Sequence, residues 1–153
     1  MSVTRATRSR ADVGVEGLER PHPELLVREL RFVLTVGTRV ASIAPCIGKV
    51  QGLAQTYAPA AESSYYAAVA ICSGVEELVG RLGYGPYGRA AAHLFGVSDE
   101  ARGLTLTRRR TLAATELDVQ PPTIVRWWQP RIVEDVASEF YRSSDSNSRN
   151  QSQ

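Results

Sequence analysis

The sequence predicts an all-α fold, a small helical bundle flanked by disordered termini. The chain has 153 residues, of which 43% are hydrophobic and 22% are charged, so its middle part has enough apolar side chains to bury a core. Apolar residues in that middle part recur at spacings of three and four, which is the period of one face of a helix. Both ends lack this pattern, which predicts that they do not fold.

The two ends are predicted to be disordered tails. Residues 1–20 mix arginine, serine and glycine without periodicity, although Arg5, Arg8 and Arg10 alternatively form a basic arm for phosphates. Residues 143–153 contain no apolar side chain. The folded part is therefore predicted to comprise an N-terminal helical region, residues 21–84, and a C-terminal unit, residues 85–142.

The N-terminal helical region is predicted to begin at Pro23, because proline suits the first turn of a helix. An apolar stripe follows, and Pro45 interrupts it, which predicts a kink or a junction of two helices near Ala44. We expect the stripe to be buried within the monomer, with a dimer seam as the alternative because its spacing is close to a heptad. The stripe consists of Leu26, Leu30, Val33, Val36, Val40, Ile43, Ile47, Val50 and Ala54.

A second helix is predicted from about Ala61 to Leu82. Cys72 lies among apolar neighbours there, so we expect it to be a small core residue. The side expected to face the core carries Tyr65, Val69, Cys72, Val75, Val79 and Leu82.

The segment GRLGYGPYGRAAAHLFG, which starts at Gly80, is predicted to be a flexible hinge followed by a short helix. It is not a phosphate loop, because no Gly-Lys-Ser/Thr follows the glycines and no strand precedes them. His93 in the short helix is expected to be a partly buried residue, with nothing acidic placed to orient it.

The stretch RRRTLAATELDVQPPTIVRWW, from Arg108 to Trp128, predicts two short helices separated by a turn. Thr105 or Thr107 caps the first helix, whose apolar face leaves the three arginines outside. Asp118 and Val119 then turn the chain. The two prolines that follow are tolerated in the first turn of a second helix, where backbone amides have no partner. The apolar face of the first helix consists of Leu112, Ala113 and Leu117.

This stretch resembles the helix-turn-helix family of DNA-binding domains. Ala114 stands where the family has a small residue that lets the two helices approach, and Asp118 stands where it usually has glycine. Aspartate tolerates the left-handed backbone of that turn better than most residues do. The other matching positions are Leu117, Val119, Thr123, Ile124 and Trp127. The segment from Tyr87 onward also resembles a module of uncharacterised actinobacterial proteins, which implies no particular function.

The resemblance implies a DNA-binding regulatory protein whose second helix reads bases. Arg126 is the best candidate for contacting a base, and the arginines of the first helix would contact phosphates. We expect Trp127 to lie in the core and Trp128 to pack against the last helix. The candidate DNA-binding residues are Arg108, Arg109, Arg110, Gln120, Arg126 and Gln129.

Two other function classes are alternatives to DNA binding for this sequence. A protein-interaction module of the same fold would use the arginine face to meet an acidic partner, and the net charge of +2 does not separate the two. An enzyme is disfavoured because no nucleophile, base and orienting group converge. We expect no catalytic residue, cofactor or metal site. We also expect a cytoplasmic protein without a membrane segment, with homodimerisation through the N-terminal helices as one form of partnership.

Overall fold

The computed structural model describes residues 20–152, and the regular elements of that range are all helical, which confirms the all-α prediction. The first half contains α1 (Pro23–Val36), α2 (Val40–Ile43), a 3-10 helix (Ala44–Lys49), α3 (Gln51–Tyr57) and α4 (Ser64–Gly80). The second half contains α5 (Pro86–Phe95), α6 (Leu106–Leu117), α7 (Pro121–Thr123), a π-helical turn (Ile124–Trp128) and α8 (Gln129–Ser152).

The N-terminal helical region and the C-terminal unit share one hydrophobic core. Leu30 of α1, Ile71 of α4, Phe95 of α5 and Phe140 of α8 belong to the same cluster of buried side chains. α1 packs directly against α8, and α4 packs against α3, α5 and α8. The boundary near residue 84 therefore divides the chain by sequence pattern and does not separate two cores.

The apolar stripe of the N-terminal region is buried within the monomer. Leu26, Leu30, Val33, Ile43 and Val50 have no exposed surface, so the alternative that this stripe is a dimer seam is wrong. The predicted junction near Ala44 is confirmed, because α2 ends at Ile43 and the chain continues there as a 3-10 helix.

A buried carboxylate joins α1 to α3. The two side-chain oxygens of Glu29 accept hydrogen bonds from the amides of Gly52, at 3.1 Å, and Leu53, at 2.9 Å. These amides lie in the first turn of α3, where no intrahelical acceptor is present. A Cβ atom at Gly52 would lie 2.9 Å from Oε2 of Glu29, so only glycine leaves room for this contact.

The second predicted helix is present as α4, but two of its residues face solvent. Tyr65 is 59% exposed and Val69 is 40% exposed, whereas Cys72, Val75 and Val79 are buried as expected. The buried face of the first turns is instead formed by the small residues Ala67 and Ala68. The stripe predicted from spacing alone was therefore wrong for the first turn and a half of α4.

The glycine-rich segment brings two backbones together, a role that the hinge interpretation did not include. Gly83 has a φ of +98°, and Gly85 precedes α5. Gly88 lies inside α5 against the carbonyl group of Gly83, at a place where a Cβ atom would meet that oxygen at 1.9 Å. The absence of a side chain at position 88 thus allows α5 to pack on the end of the preceding loop.

The last helix extends beyond the boundary at residue 143 that composition predicts. α8 continues to Ser152, because no proline or glycine follows Pro130 to end it. Within residues 20–152, no single helix is both long and apolar enough to cross a membrane. The segments Pro23–Val36 and Val40–Lys49 meet those criteria only as a pair, across a bend of 117°.

Candidate nucleic-acid interface

The turn between α6 and α7 contains a left-handed residue at Asp118 and follows a capped helix. The side chain of Thr105 accepts the amide of Arg108 at 3.3 Å and so caps α6. Asp118 has φ 54° and ψ 48°, and it is the one non-glycine residue with positive φ in the described part of the chain. The amide of Val119 then donates to the carbonyl of Ala114 at 3.0 Å. Aspartate thus adopts the left-handed conformation expected where the family usually has glycine.

The small and apolar positions of the two helices meet in the core. Ala114 is 3% exposed and Ile124 is fully buried, and both belong to the common hydrophobic cluster. Leu117 and Val119 pack against that cluster from its edge. These contacts agree with the packing expected for a small residue on the first helix and an apolar residue on the second.

The second helix is longer than predicted, because a π-helical turn joins α7 to α8. The amide of Gln129 donates to the carbonyl of Ile124, five residues earlier, so this turn contains one residue more than a turn of an α-helix. Pro130, the next residue, has no amide to donate, and a proline inside a regular helix clashes with the preceding turn. The wider turn accommodates Pro130, so α7 and α8 form one continuous helical path.

This extra residue reverses the expected roles of the two tryptophans. Trp127 is 69% exposed, so the prediction that it lies in the core is wrong. Trp128 is half-buried, and its ring lies 6.1 Å from that of Tyr87 on α5. The π-helical turn shifts the register of the helix, so the second tryptophan faces the bundle instead of the first.

Arg109 lies in the core, and its prediction as a DNA-binding residue is wrong. The residue is 2% exposed, and its guanidinium group donates only to backbone carbonyls. Its Nη1 donates to the carbonyls of Leu34, at 2.6 Å, and of Leu94. Its Nη2 donates to Thr35 at 2.9 Å, and its Nε donates to Leu104 at 3.1 Å. Burial lowers the pKa of this guanidinium, and the nearby charge of Arg110 lowers it further.

Two helix ends explain why the core accepts this charge. Leu34 and Leu94 lie in the last turns of α1 and α5, where carbonyl groups have no intrahelical partner and carry partial negative charge. Gly37 and Gly96 end these helices with φ values of +93° and +75°. A Cβ atom at Gly96 would lie 3.3 Å from Cδ of Arg109, so the glycines also provide space for the arginine stem.

The three consecutive arginines do not form one face. Successive residues of a helix are rotated by about 100°, so the neighbours of the buried Arg109 point to opposite flanks of α6. Arg108 is exposed on one flank. On the other flank, Nε of Arg110 donates to the side-chain oxygen of Gln129 at 3.0 Å. The structure therefore brings Arg110 and Gln129 together and separates both from Arg108.

We define the second-helix face as the side of the segment after the Asp118 turn that carries the exposed residues Gln120, Pro122, Val125 and Arg126. The half-buried Gln129 adjoins them, whereas the exposed Trp127 is rotated by about 100° from Arg126 and is not part of this face. Arg110 extends this face onto α6 through its bond to Gln129. Of the six predicted DNA-binding residues, four lie on or beside this face: Arg110, Gln120, Arg126 and Gln129.

Among the described residues, the arginines of the second-helix face and the exposed Arg108 have no acidic partners, whereas Glu116 and Glu139 each pair with another arginine. Within residues 20–152, no described carboxylate forms an ion pair with Arg108, Arg110 or Arg126. Glu116 accepts from Arg89 at 2.9 Å, and Glu139 pairs with Arg142. Arg110 and Arg126 therefore bring to this face positive charge that no described carboxylate pairs with, against the single exposed carboxylate of Asp118 at its start, and this balance suits an anionic partner.

Sequence reasoning missed an acidic partner of His93. Nε2 of this ring lies 3.3 Å from Oε1 of Glu116, and Nδ1 lies 2.7 Å from Oγ of Ser98. The histidine side chain is only 8% exposed. Glu116 lies on α6, 23 residues away, so the pairing depends on the packing of α5 against α6. The Nε2 contact links α5 to α6, and the Nδ1 contact fixes the ring against the loop that follows α5.

Replacing Glu116 with glutamine should flatten the acid side of the stability profile. Hydrogen bonds from Arg89 and then from His93 lower the pKa of Glu116 below its ordinary value of 4.5. A lowered pKa in the folded state gives stability that is present above pH 4.5 and lost as pH falls through the folded-state value. We expect the melting temperature of the parent to fall more steeply than that of Glu116→Gln below pH 4.5. If calorimetry shows that the melting temperatures of the parent and of Glu116→Gln fall in parallel below pH 4.5, the prediction is contradicted.

The described residues offer no cluster of side chains for a metal ion, and the thiol of Cys72 is unsuited to nucleophilic chemistry. Among residues 20–152, no group of three or more His, Cys, Asp or Glu side chains is arranged to hold a metal ion. Cys72 is buried, and burial, followed by the charge of Glu76, raises the pKa of its thiol to about 11. A thiol with so high a pKa is a poor nucleophile at neutral pH.

Comparison with protein-family models, with curated proteins and with solved structures finds no match to this chain.

Proposed function

We propose that this protein binds double-stranded DNA and acts as a cytoplasmic regulatory protein, with the second-helix face in the major groove. The observation that carries the proposal is that Arg110 and Arg126, which have no ion pair among the described residues, lie on a helical face that follows a left-handed turn. A major groove admits one helix, and arginine is the side chain that most often contacts its guanines. Arg126 is the candidate base reader.

The proposal gives different roles to the other polar residues. Gln120 stands at the start of the exposed segment, where a side-chain amide can reach a base or a phosphate. Arg110 holds the side chain of Gln129, so these two residues act as a pair beside Arg126. Arg108 lies on the far flank of α6 and would contact the phosphate backbone.

Fluorescence-anisotropy titrations with duplex DNA test this function. The parent should bind a mixed-sequence duplex, and its affinity should fall steeply between about 50 mM and about 200 mM salt as counterions return to the phosphates. Arg108→Ala should weaken binding to all sequences and reduce the salt slope by about one. Arg126→Ala should cost about 1–3 kcal/mol on a selected site and relax its sequence preference.

Arg31→Ala is the matched control, because Arg31 is exposed on α1, a helix outside the C-terminal unit. This variant should bind DNA as the parent does. Equal binding by the parent, Arg108→Ala and Arg126→Ala would contradict the assignment of the face. Absence of binding at low salt would contradict DNA binding itself.

A protein-interaction module is the second candidate, and the exposure of Trp127 favours it. An indole that is 69% exposed is a large apolar surface, and tryptophan and arginine are the residues most enriched in the energetic centres of protein interfaces. Arg131 follows Trp127 by one helical turn, so an acidic partner with an apolar side chain would suit this flank. This candidate gains support where the titrations detect no DNA binding.

Homodimerisation through the N-terminal helices stays a prediction. The buried stripe of α1 does not supply its interface, so the exposed residues of that region would have to do so. Tyr65, Tyr66 and Val69 form an exposed group near the start of α4, with the two tyrosine rings 5.5 Å apart. A dimer would place two second-helix faces on half-sites related by the symmetry of the dimer.

A further inference from the structure

The second-helix face presents apolar atoms next to its central arginine. Pro122 is exposed and precedes Arg126 by four residues, which places it one turn earlier on nearly the same line of the helix. Val125 is 44% exposed and adjoins Arg126 on the side of Gln129. Along this face, hydrogen-bonding side chains are therefore interrupted by two residues that have only hydrocarbon groups to offer.

The major groove contains one apolar group that such residues can contact. Three of the four bases present only hydrogen-bond donors and acceptors there, whereas thymine also presents its C5-methyl group. A valine placed against a donor or acceptor leaves that group without a partner, which costs free energy. A valine placed against the methyl group removes apolar surface from water on both sides.

We propose that Val125, together with Pro122, contacts thymine methyl groups beside the base that Arg126 reads, so that the preferred DNA site contains thymine at those positions. The inference rests on the proposed function, because it requires the second-helix face to lie in the major groove. It adds the chemical identity of the bases that the apolar part of the face recognises.

Replacing thymine by uracil tests the methyl contact without changing the base pairing. Duplexes are first selected for binding from a random-sequence pool that contains thymine, and the selected pool is then copied with either thymidine or deoxyuridine triphosphate. The parent should lose about fourfold in affinity for each methyl contact removed, the ratio that corresponds to burial of one methyl-sized group. The unselected pool should bind equally in both forms.

Val125→Ala should lower the ratio of the thymine-pool affinity to the uracil-pool affinity. Leu25→Ala is the matched control, because Leu25 has a similar exposure of 39% but lies on α1. This control should keep the full ratio. Since both residues are exposed, neither change is expected to disturb folding, and thermal melting of the variants checks this directly.

The outcomes separate this inference from the proposed function. Sequence-selective binding with equal affinity for the thymine and uracil pools would overturn the methyl contact and leave DNA binding standing. Selected sites without thymine, or binding without any selectivity, would also overturn it. Absence of DNA binding at low salt would overturn both, and the apolar part of the face would then belong to a protein interface.

Discussion

Replacing Arg109 with methionine is expected to lower the free energy of unfolding by about 3–5 kcal/mol. Methionine has a similar length but no donor, so the buried carbonyls of Leu34 and Leu94 and the partly buried carbonyls of Thr35 and Leu104 would lose their hydrogen bonds to the guanidinium group. A buried acceptor left unsatisfied costs about 1–3 kcal/mol. The loss is large beside a total stability of about 5–15 kcal/mol for a domain.

Calorimetry should show a fall of about 10 °C or more in the melting temperature of Arg109→Met. Arg108→Met is the matched control, because Arg108 is exposed and has no ion pair, and it should change stability by less than about 0.5 kcal/mol. The melting temperature of Arg109→Lys should lie between those of Arg109→Met and Arg108→Met. One ammonium group cannot reach all four carbonyls that the three guanidinium nitrogens contact.

The same pair of variants separates a structural role for Arg109 from a role in binding. An arginine that contacts phosphate would lose DNA affinity on substitution and keep its melting temperature. We expect Arg109→Met to lose stability and Arg108→Met to lose affinity. If Arg109→Met melts with the parent, the guanidinium does not hold α1, α5 and α6 together in solution.

The burial of Arg109 depends on contacts between residues that are far apart in sequence, which a local sequence pattern does not contain. The pattern of α6 predicted correctly that the helix exists, but of the three apolar residues assigned to its buried face only Ala113 is buried, whereas Leu112 and Leu117 are half-buried. Three adjacent arginines, however, look alike in sequence, and the carbonyl of Leu34 that receives Arg109 lies 75 residues earlier in the chain. A signal was present in Gly37 and Gly96, which end two helices around one site, but only the packed structure relates them to Arg109.

Local signals predicted local structure well in this chain. Pro45 marked the junction at Ala44, and Asp118 was predicted to tolerate the left-handed turn that it adopts. The exposure of Trp127 was not predicted, because the π-helical turn before Pro130 changes the number of residues per helical turn at that point. A constant period of 3.6 residues cannot predict which side of the helix a residue in such a turn faces. The sequence therefore predicted where the candidate site lies but not which of its side chains face solvent together.

Replacing Gly88 with alanine is expected to lower the free energy of unfolding by about 1–3 kcal/mol, the usual cost of forcing extra volume into a packed site. The added Cβ atom would lie 1.9 Å from the carbonyl oxygen of Gly83 and 2.7 Å from its carbonyl carbon. Both atoms are backbone, so no side-chain rotation relieves the clash. The start of α5 would have to move away from the loop, although alanine itself favours a helix over glycine by about 1 kcal/mol.

Gly80→Ala provides a control with the opposite sign. Gly80 is the last residue of α4, and an added Cβ atom would have no neighbour within 4 Å. That variant should be more stable than the parent by up to about 1 kcal/mol, because alanine reduces the freedom of the unfolded chain. Urea unfolding of the two variants should therefore give shifts of opposite direction. Equal shifts would show that α5 does not approach Gly83 closely, and that the glycine-rich segment is the flexible hinge that its sequence predicts.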